Sequence, residues 1–294
     1  MIRLLAIGLF SGVLCAQSVS DGVAAIDAGH LEDAVHTFST LAEQTPNCFE
    51  CQFYLGLAQF RAGRPAVARP ALEKAVALMP ADANAWKLLG LATTSAGDLD
   101  AAITAFRKAC DLAPKDEEAC YYLARNLYAQ GHYESASASF DMALQAAPAA
   151  MLPKVHRAIA LNFAALGQSE EAERHFVKAI QSAGRASRDV EDPRVDYGAF
   201  LFRQGRTDAA LAPLQEAVKD SPASPRANLE LGRVLLHLDK TEAAVASLEK
   251  AVKFAPSDSN AHLLLGRAYL KLGKTAEGER ELRLGEQAWS AKPR

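Results

Sequence analysis

The chain has 294 residues, half of them hydrophobic and 23% charged, with a formal net charge of −3. That balance belongs to an ordinary folded protein and excludes disordered, collagen-like and polytopic membrane classes. With no excess of Lys and Arg to neutralise phosphates, nucleic acid is not expected as the partner.

The first sixteen residues read MIRLLAIGLFSGVLCA: Arg3, then an apolar run from Leu4 to Ala16 broken by Ser11. Thirteen residues are too few for a bilayer, which needs about 20. They suit the core of a secretory signal peptide, cut after Ala16 although Leu14 is large for its position. Removing Arg3 leaves a net charge of −4. A buried first helix is the alternative. A lipid anchor at Cys15 is a third reading, disfavoured by Leu14 before the cysteine. The expected location is periplasmic or secreted, and no other segment could cross a membrane.

Beyond this leader a 34-residue unit repeats eight times, starting at residues 15, 49, 83, 117, 153, 191, 225 and 259. Position eight is small: Gly22, Gly56, Gly90, Ala124, Ala160, Gly198, Gly232, Gly266. Position twenty is Ala34, Ala68, Ala102, Ala136, Ala172, Ala210, Ala244 and Gly278. Small residues at this spacing let two helices approach at the short end of about 8–10 Å. Position twenty-four is large and apolar (Phe38, Leu72, Phe106, Phe140, Phe176, Leu214, Leu248, Leu282) and fills the space between the helices.

Gly29, Gly63, Gly97, Gly131, Gly167, Gly205 and Gly273 end each first helix, with Asp239 the exception. Pro46, Pro80, Pro114, Pro148, Pro222 and Pro256 close the units. The period predicts an all-α stack of about eight helix–turn–helix repeats.

These positions resemble the tetratricopeptide repeat (TPR). The unit from Ala83 to Asp116 carries the pattern as Trp86, Leu89, Gly90, Gly97, Ala102, Phe106, Ala109 and Pro114, and the resemblance extends from residue 17 to about 292. It implies a right-handed α-solenoid whose concave face, lined by the first helix of each unit, binds peptides or proteins. Two residues are inserted near Ala149–Leu152. Four more, assigned to 187–190 in the polar run SAGRASRDVEDPR, would separate repeats 1–5 (17–186) from repeats 6–8 and a C-terminal cap (191–294). Gly278 and Gly285 are poor helix formers, so the last pair is expected to fray.

Once the leader is removed, Cys48, Cys51, Cys110 and Cys120 remain, an even count that favours disulfides in an exported chain. Cys110 ends a second helix and Cys120 opens the next first helix. A bridge there closes a short loop worth roughly 2–3 kcal/mol. Cys48 and Cys51 flank a helix start and can pair locally. A thiol-redox CxxC is the competing reading, although the thioredoxin-like βαβ context is missing. Covalent haem requires His where the chain has Gln52. A four-cysteine zinc site fails because the two pairs lie nearly two repeats apart.

The seven histidines form no metal-ligand motif, and no phosphate loop or nucleophile elbow is present. No cofactor, metal or catalytic residue is expected. By the resemblance, positions two, five, nine and twelve line the concave face. The fourth unit supplies Glu118, Tyr121, Arg125 and Tyr128 there, with Tyr122 adjacent. Its neighbours supply Lys87, Leu91, Lys154, Arg157 and Leu161, followed by Arg226, Arg233, Arg267 and Lys271. Tyr and Arg dominate binding hot spots, and Arg grips carboxylates. Alternatively, the tyrosines pack between helices and the arginines pair with local carboxylates. Some TPR proteins hold a C-terminal carboxylate in a Lys–Asn–Asn–Lys–Arg clamp; Lys87 fits that pattern, but Leu91 stands where Asn is needed. The expected function is a non-enzymatic scaffold for a protein or peptide segment in envelope assembly. The alternatives are a glycan or small-molecule binding module and a thiol-redox protein.

Overall fold

The computed structural model describes residues 17–183 and 192–291, and all regular structure among them is helical. Two compact units, Met1–Ala147 and Pro148–Arg294, adjoin in sequence at the first register slip. The leader 1–16 and the insertion 187–190 lie outside the described residues. On either side of that insertion the flanking helices pack against each other within the second unit.

The first unit holds α1 (17–27), α2 (Leu31–Gln44), α3 (Phe49–Arg61), α4 (Pro65–Leu78), α5 (Ala83–Ser95), α6 (Leu99–Leu112), α7 (Glu117–Ala129) and α8 (Tyr133–Ala146). The second holds α9 (Leu152–Ala165), α10 (Ser169–Ala183), α11 (Pro193–Arg203), α12 (Thr207–Asp220), α13 (Pro225–His237), α14 (Thr241–Phe254), α15 (Ser259–Lys271) and α16 (Thr275–Ser290). Within each unit, helices adjacent in sequence pack on one another.

Most first helices start on side-chain caps; α9, preceded by Met151, does not. The Ala85 N–H donates to Asp82 at 2.8 Å and the Ala119 N–H to Asp116 at 3.1 Å, satisfying backbone donors that would otherwise lack a partner. First helices end at the glycine turn, where Gly29, Gly63, Gly97, Gly131, Gly167, Gly205 and Gly273 have φ between 75° and 84°. Asp239 takes the same left-handed conformation at φ 58°, alone among the described non-glycine residues. The exception noted in the repeat is therefore a change of residue and not of turn.

The close approach within each pair is explicit. A Cβ built on Gly56 would lie 2.5 Å from Leu72, one on Gly90 2.8 Å from the Phe106 ring, and one on Gly198 2.5 Å from Leu214. Phe38, Leu72, Phe106, Phe176, Leu214 and Leu248 are wholly buried, each contributing about 1.5–3 kcal/mol of transfer free energy. The last pair departs from expectation. α16 runs unbroken to Ser290, and Gly278 and Gly285 are buried where a Cβ would meet Leu270 at 2.7 Å and Leu263 at 2.9 Å. These glycines admit a neighbouring side chain, which outweighs their poor helix propensity.

Both cysteine pairs are joined as disulfides. Cys110–Cys120 links α6 to α7, with a Cα separation of 5.0 Å, and Cys48–Cys51 spans the first turn of α3 at 5.3 Å.

Two substitutions test this frame. Alanine favours a helix over glycine by about 1 kcal/mol, but overpacking costs about 1–3 kcal/mol. Gly90→Ala is therefore expected to lower stability by about 1 kcal/mol, read as a lower Tm; an unchanged Tm would show that the ring yields. Asp239→Gly releases a left-handed residue worth roughly 1 kcal/mol and gives up only an exposed contact with Lys271. Its Tm is expected to rise.

Candidate interaction face

First helices touch one another along one face of each unit: α3 packs on α5 in the first, and α9 on α11, α11 on α13 and α13 on α15 in the second. Side chains on this face come from different repeats at the same register.

In the first unit the tyrosines divide between core and surface. Tyr121 is 1% exposed and packs against Phe140, with ring centroids 6.1 Å apart. Tyr122 stacks on Phe106 at 5.6 Å, and Tyr128 lies against Tyr133 at 5.4 Å. Leu91 is half-buried. Lys87 donates to Asp116 at 2.7 Å and lies 3.5 Å from the exposed Glu118. Burial alone would lower the Lys87 pKa, but the hydrogen bond to Asp116 and the charges of Asp116 and Glu118 outweigh it and raise the value. Arg125 is exposed, its guanidinium 5.8 Å from the Tyr121 ring centroid, within the range of a cation–π contact. Between α5 and α7, the Thr94 hydroxyl donates to Asn126 at 3.1 Å.

In the second unit the cations meet carboxylates of the same face. Asp196, with its side chain 4% exposed, accepts from both Arg157 on α9 and Arg226 on α13. Arg233 donates to Glu230 at 3.0 Å. Burial raises the Glu230 pKa, and the positive charges of Arg233, Arg226 and Arg203 offset part of that rise. Lys271 pairs with Asp239. Leu161 packs against the apolar core, and Lys154 is half-buried. Arg267 is exposed.

Models of the family described as tetratricopeptide repeat match residues 22–77, 55–117, 201–259 and 239–291, and a second such model matches 94–161. The chain belongs to the tetratricopeptide repeat family. Among solved structures it is similar to a TPR protein from Parabacteroides merdae, at 17% identity over 86% of this chain and 98% of that one, with a TM-score of 0.66. It is similar to the MamA protein at 24% identity over 59% of this chain and 94% of that one, TM-score 0.55. The Cut9–Hcn1 hetero-tetramer of the APC/C matches at 15% identity over 89% of this chain and 50% of that one, TM-score 0.61. At these identities the likeness is one of fold. No curated protein sequence matches the chain significantly.

The organising carboxylates of the second unit were not among the candidates read from the repeat. Asp196 and Glu230 occupy position six of their TPR units, where the other units carry Ser20, Tyr54, Leu88, Tyr122, Ala158 and Leu264. An acid in a column of mostly apolar residues was the available signal. Among the described residues no group of three or more His, Cys, Asp or Glu is placed to hold a metal ion. No helix there is long and apolar enough to cross a membrane.

His156 on α9 and His175 on α10 place their Nδ1 atoms 3.2 Å apart, and Phe163 lies 5.6 Å from the His175 ring. Burial, followed by the charges of His156, Lys178 and Arg174, pushes the His175 pKa down to about 4. Burial and Lys178 lower that of His156. Both imidazoles bind protons more readily in the unfolded chain, whose reference value is about 6.5. Stability from this pair is therefore complete above about pH 6.5 and declines as pH falls towards 4. Urea melts of His175→Gln across that window are expected to show a shallower acid loss than wild type. Parallel curves would remove the pair as its source.

Proposed function

We propose that this TPR protein is a non-catalytic scaffold whose two units each hold an extended or helical segment of a partner protein on their own first-helix face, with acidic side chains in that segment. The carrying observation is the contrast among the cations of that face. Lys87, Arg157, Arg226 and Arg233 are engaged by the chain's own carboxylates. Arg125 and Arg267 stand exposed on α7 and α15 and offer guanidinium forks to an incoming carboxylate. Leu91 on α5 and Tyr122 and Tyr128 on α7 supply half-buried surface in the first unit. The apolar leader ending at Ala16 supports a place for this scaffold in the periplasm or outside the cell, in assembly of an envelope complex.

A second reading is supported by a cavity of about 700 Å³ in the second unit. Val195, Leu229, Pro222 and Pro225 form its apolar wall, with Asp220 and Asp258 also lining it. Its size suits a small molecule or sugar.

The test uses residues 17–294 as bait in native envelope extract, beside an Arg125→Ala, Arg267→Ala variant. Tyr121 stays in place, because truncating a 1% exposed ring would empty the core. A partner retained by wild type and lost by the variant at equal Tm supports the reading. Equal capture by both overturns the first-helix face as the docking surface.

A further inference from the structure

Most first helices begin on an oxygen-bearing cap. Asp82, Asp116, Ser224 and Asp258 accept the N–H groups of Ala85, Ala119, Ala227 and Ala261. In α3 the capping residue is Cys48, whose sulfur takes the Cys51 N–H at 3.1 Å. Cys51 stands where those repeats have alanine and is fully buried, whereas Cys48 is only partly covered. One sulfur can therefore be reached by another molecule and its bonded partner cannot.

We propose that Cys48–Cys51 is an exchangeable disulfide that oxidises dithiols, with Cys48 as the sulfur that is attacked. The equivalent position holds a carboxylate in three other repeats, Asp82, Asp116 and Asp258, so a cap of this geometry accommodates an anion. The helix N-terminus favours a thiolate there. Cys51 is arranged for the opposite protonation state. The Thr45 hydroxyl donates to the Leu41 carbonyl at 2.6 Å, and its oxygen lies 3.6 Å from the Cys51 sulfur. That oxygen can accept from a Cys51 S–H, and burial disfavours charge on the sulfur. Glu50 opposes the Cys48 thiolate, with a carboxylate oxygen 4.0 Å from the sulfur, but it is exposed and screened.

A substrate thiolate attacks the Cys48 sulfur, the Cys48–Cys51 bond breaks, and its electron pair leaves on Cys51, which takes a proton. The second substrate thiol, deprotonated, attacks the substrate sulfur of the mixed disulfide and expels Cys48 as a thiolate into the cap. The substrate ends as a disulfide, two electrons lower; the protein holds one thiolate and one thiol. A low-molecular-weight disulfide such as oxidised glutathione restores the bond by the reverse exchange. A low leaving-group pKa speeds the second step. Cys110–Cys120 lacks this arrangement: both residues are buried, and Cys110 lies near the C-terminal end of α6, where the helix dipole disfavours an anion. The proposal is independent of the scaffold reading, in which holding the partner involves no chemistry; it adds a redox activity at a separate site, the start of α3.

The full chain is equilibrated across glutathione redox ratios, alkylated and mapped by mass. Cys48–Cys51 is expected to open at ratios at least tenfold less reducing than Cys110–Cys120 requires. The oxidised protein is expected to oxidise dithiothreitol, and Cys48→Asp, which keeps an anionic cap, to lose that activity at unchanged helicity. Opening of both disulfides together, or undiminished dithiothreitol oxidation by Cys48→Asp, would overturn the proposal.

Discussion

The contact between position eight and position twenty-four governs the structure. A glycine or alanine on the first helix receives a Phe or Leu from the second, and the two backbones close until no further atom fits. Because the contact recurs at nearly the same register, the pairs have similar geometry, and within each unit first helices lie beside first helices. The apolar burial that stabilises the chain and the face it presents to other molecules come from one packing rule. Stability in such an array is a sum over neighbouring pairs, so a clash at one position eight is felt locally.

The repeat also makes departures conspicuous. Asp239 occupies a turn that glycine fills elsewhere and keeps the left-handed backbone. Cys48 occupies a cap that Asp or Ser fills in most other repeats and keeps the hydrogen bond. Asp196 and Glu230 enter a largely apolar column, and arginines from the same and neighbouring first helices converge on them. In each case the backbone is unchanged and the chemistry differs.

Electrostatics on the first-helix face is dominated by internal pairing. A buried carboxylate such as Asp196 needs cations beside it, since an unpaired buried charge is costly. Arg157 and Arg226 are thereby held in defined positions. A ligand must use the exposed guanidinium groups or compete with fixed internal partners, and both favour a selective surface over a generally basic one.

The helical period, the glycine turns, the closing prolines and the pairing of each cysteine with its near neighbour were legible in the chain because each depends on residues within one or two repeats. The leader reading and the insertion at 187–190 rest on sequence alone. Burial of Tyr121, the stacking of Tyr122 on Phe106 and the convergence of two arginines on Asp196 were decided by tertiary packing. A column of side chains at one register cannot reveal which member turns inward or which partner it meets in the next repeat. The glycines of α16 show the same division. By local propensity they weaken a helix; in the fold their missing Cβ atoms let Leu263 and Leu270 come close, and only the packed pair shows which effect prevails.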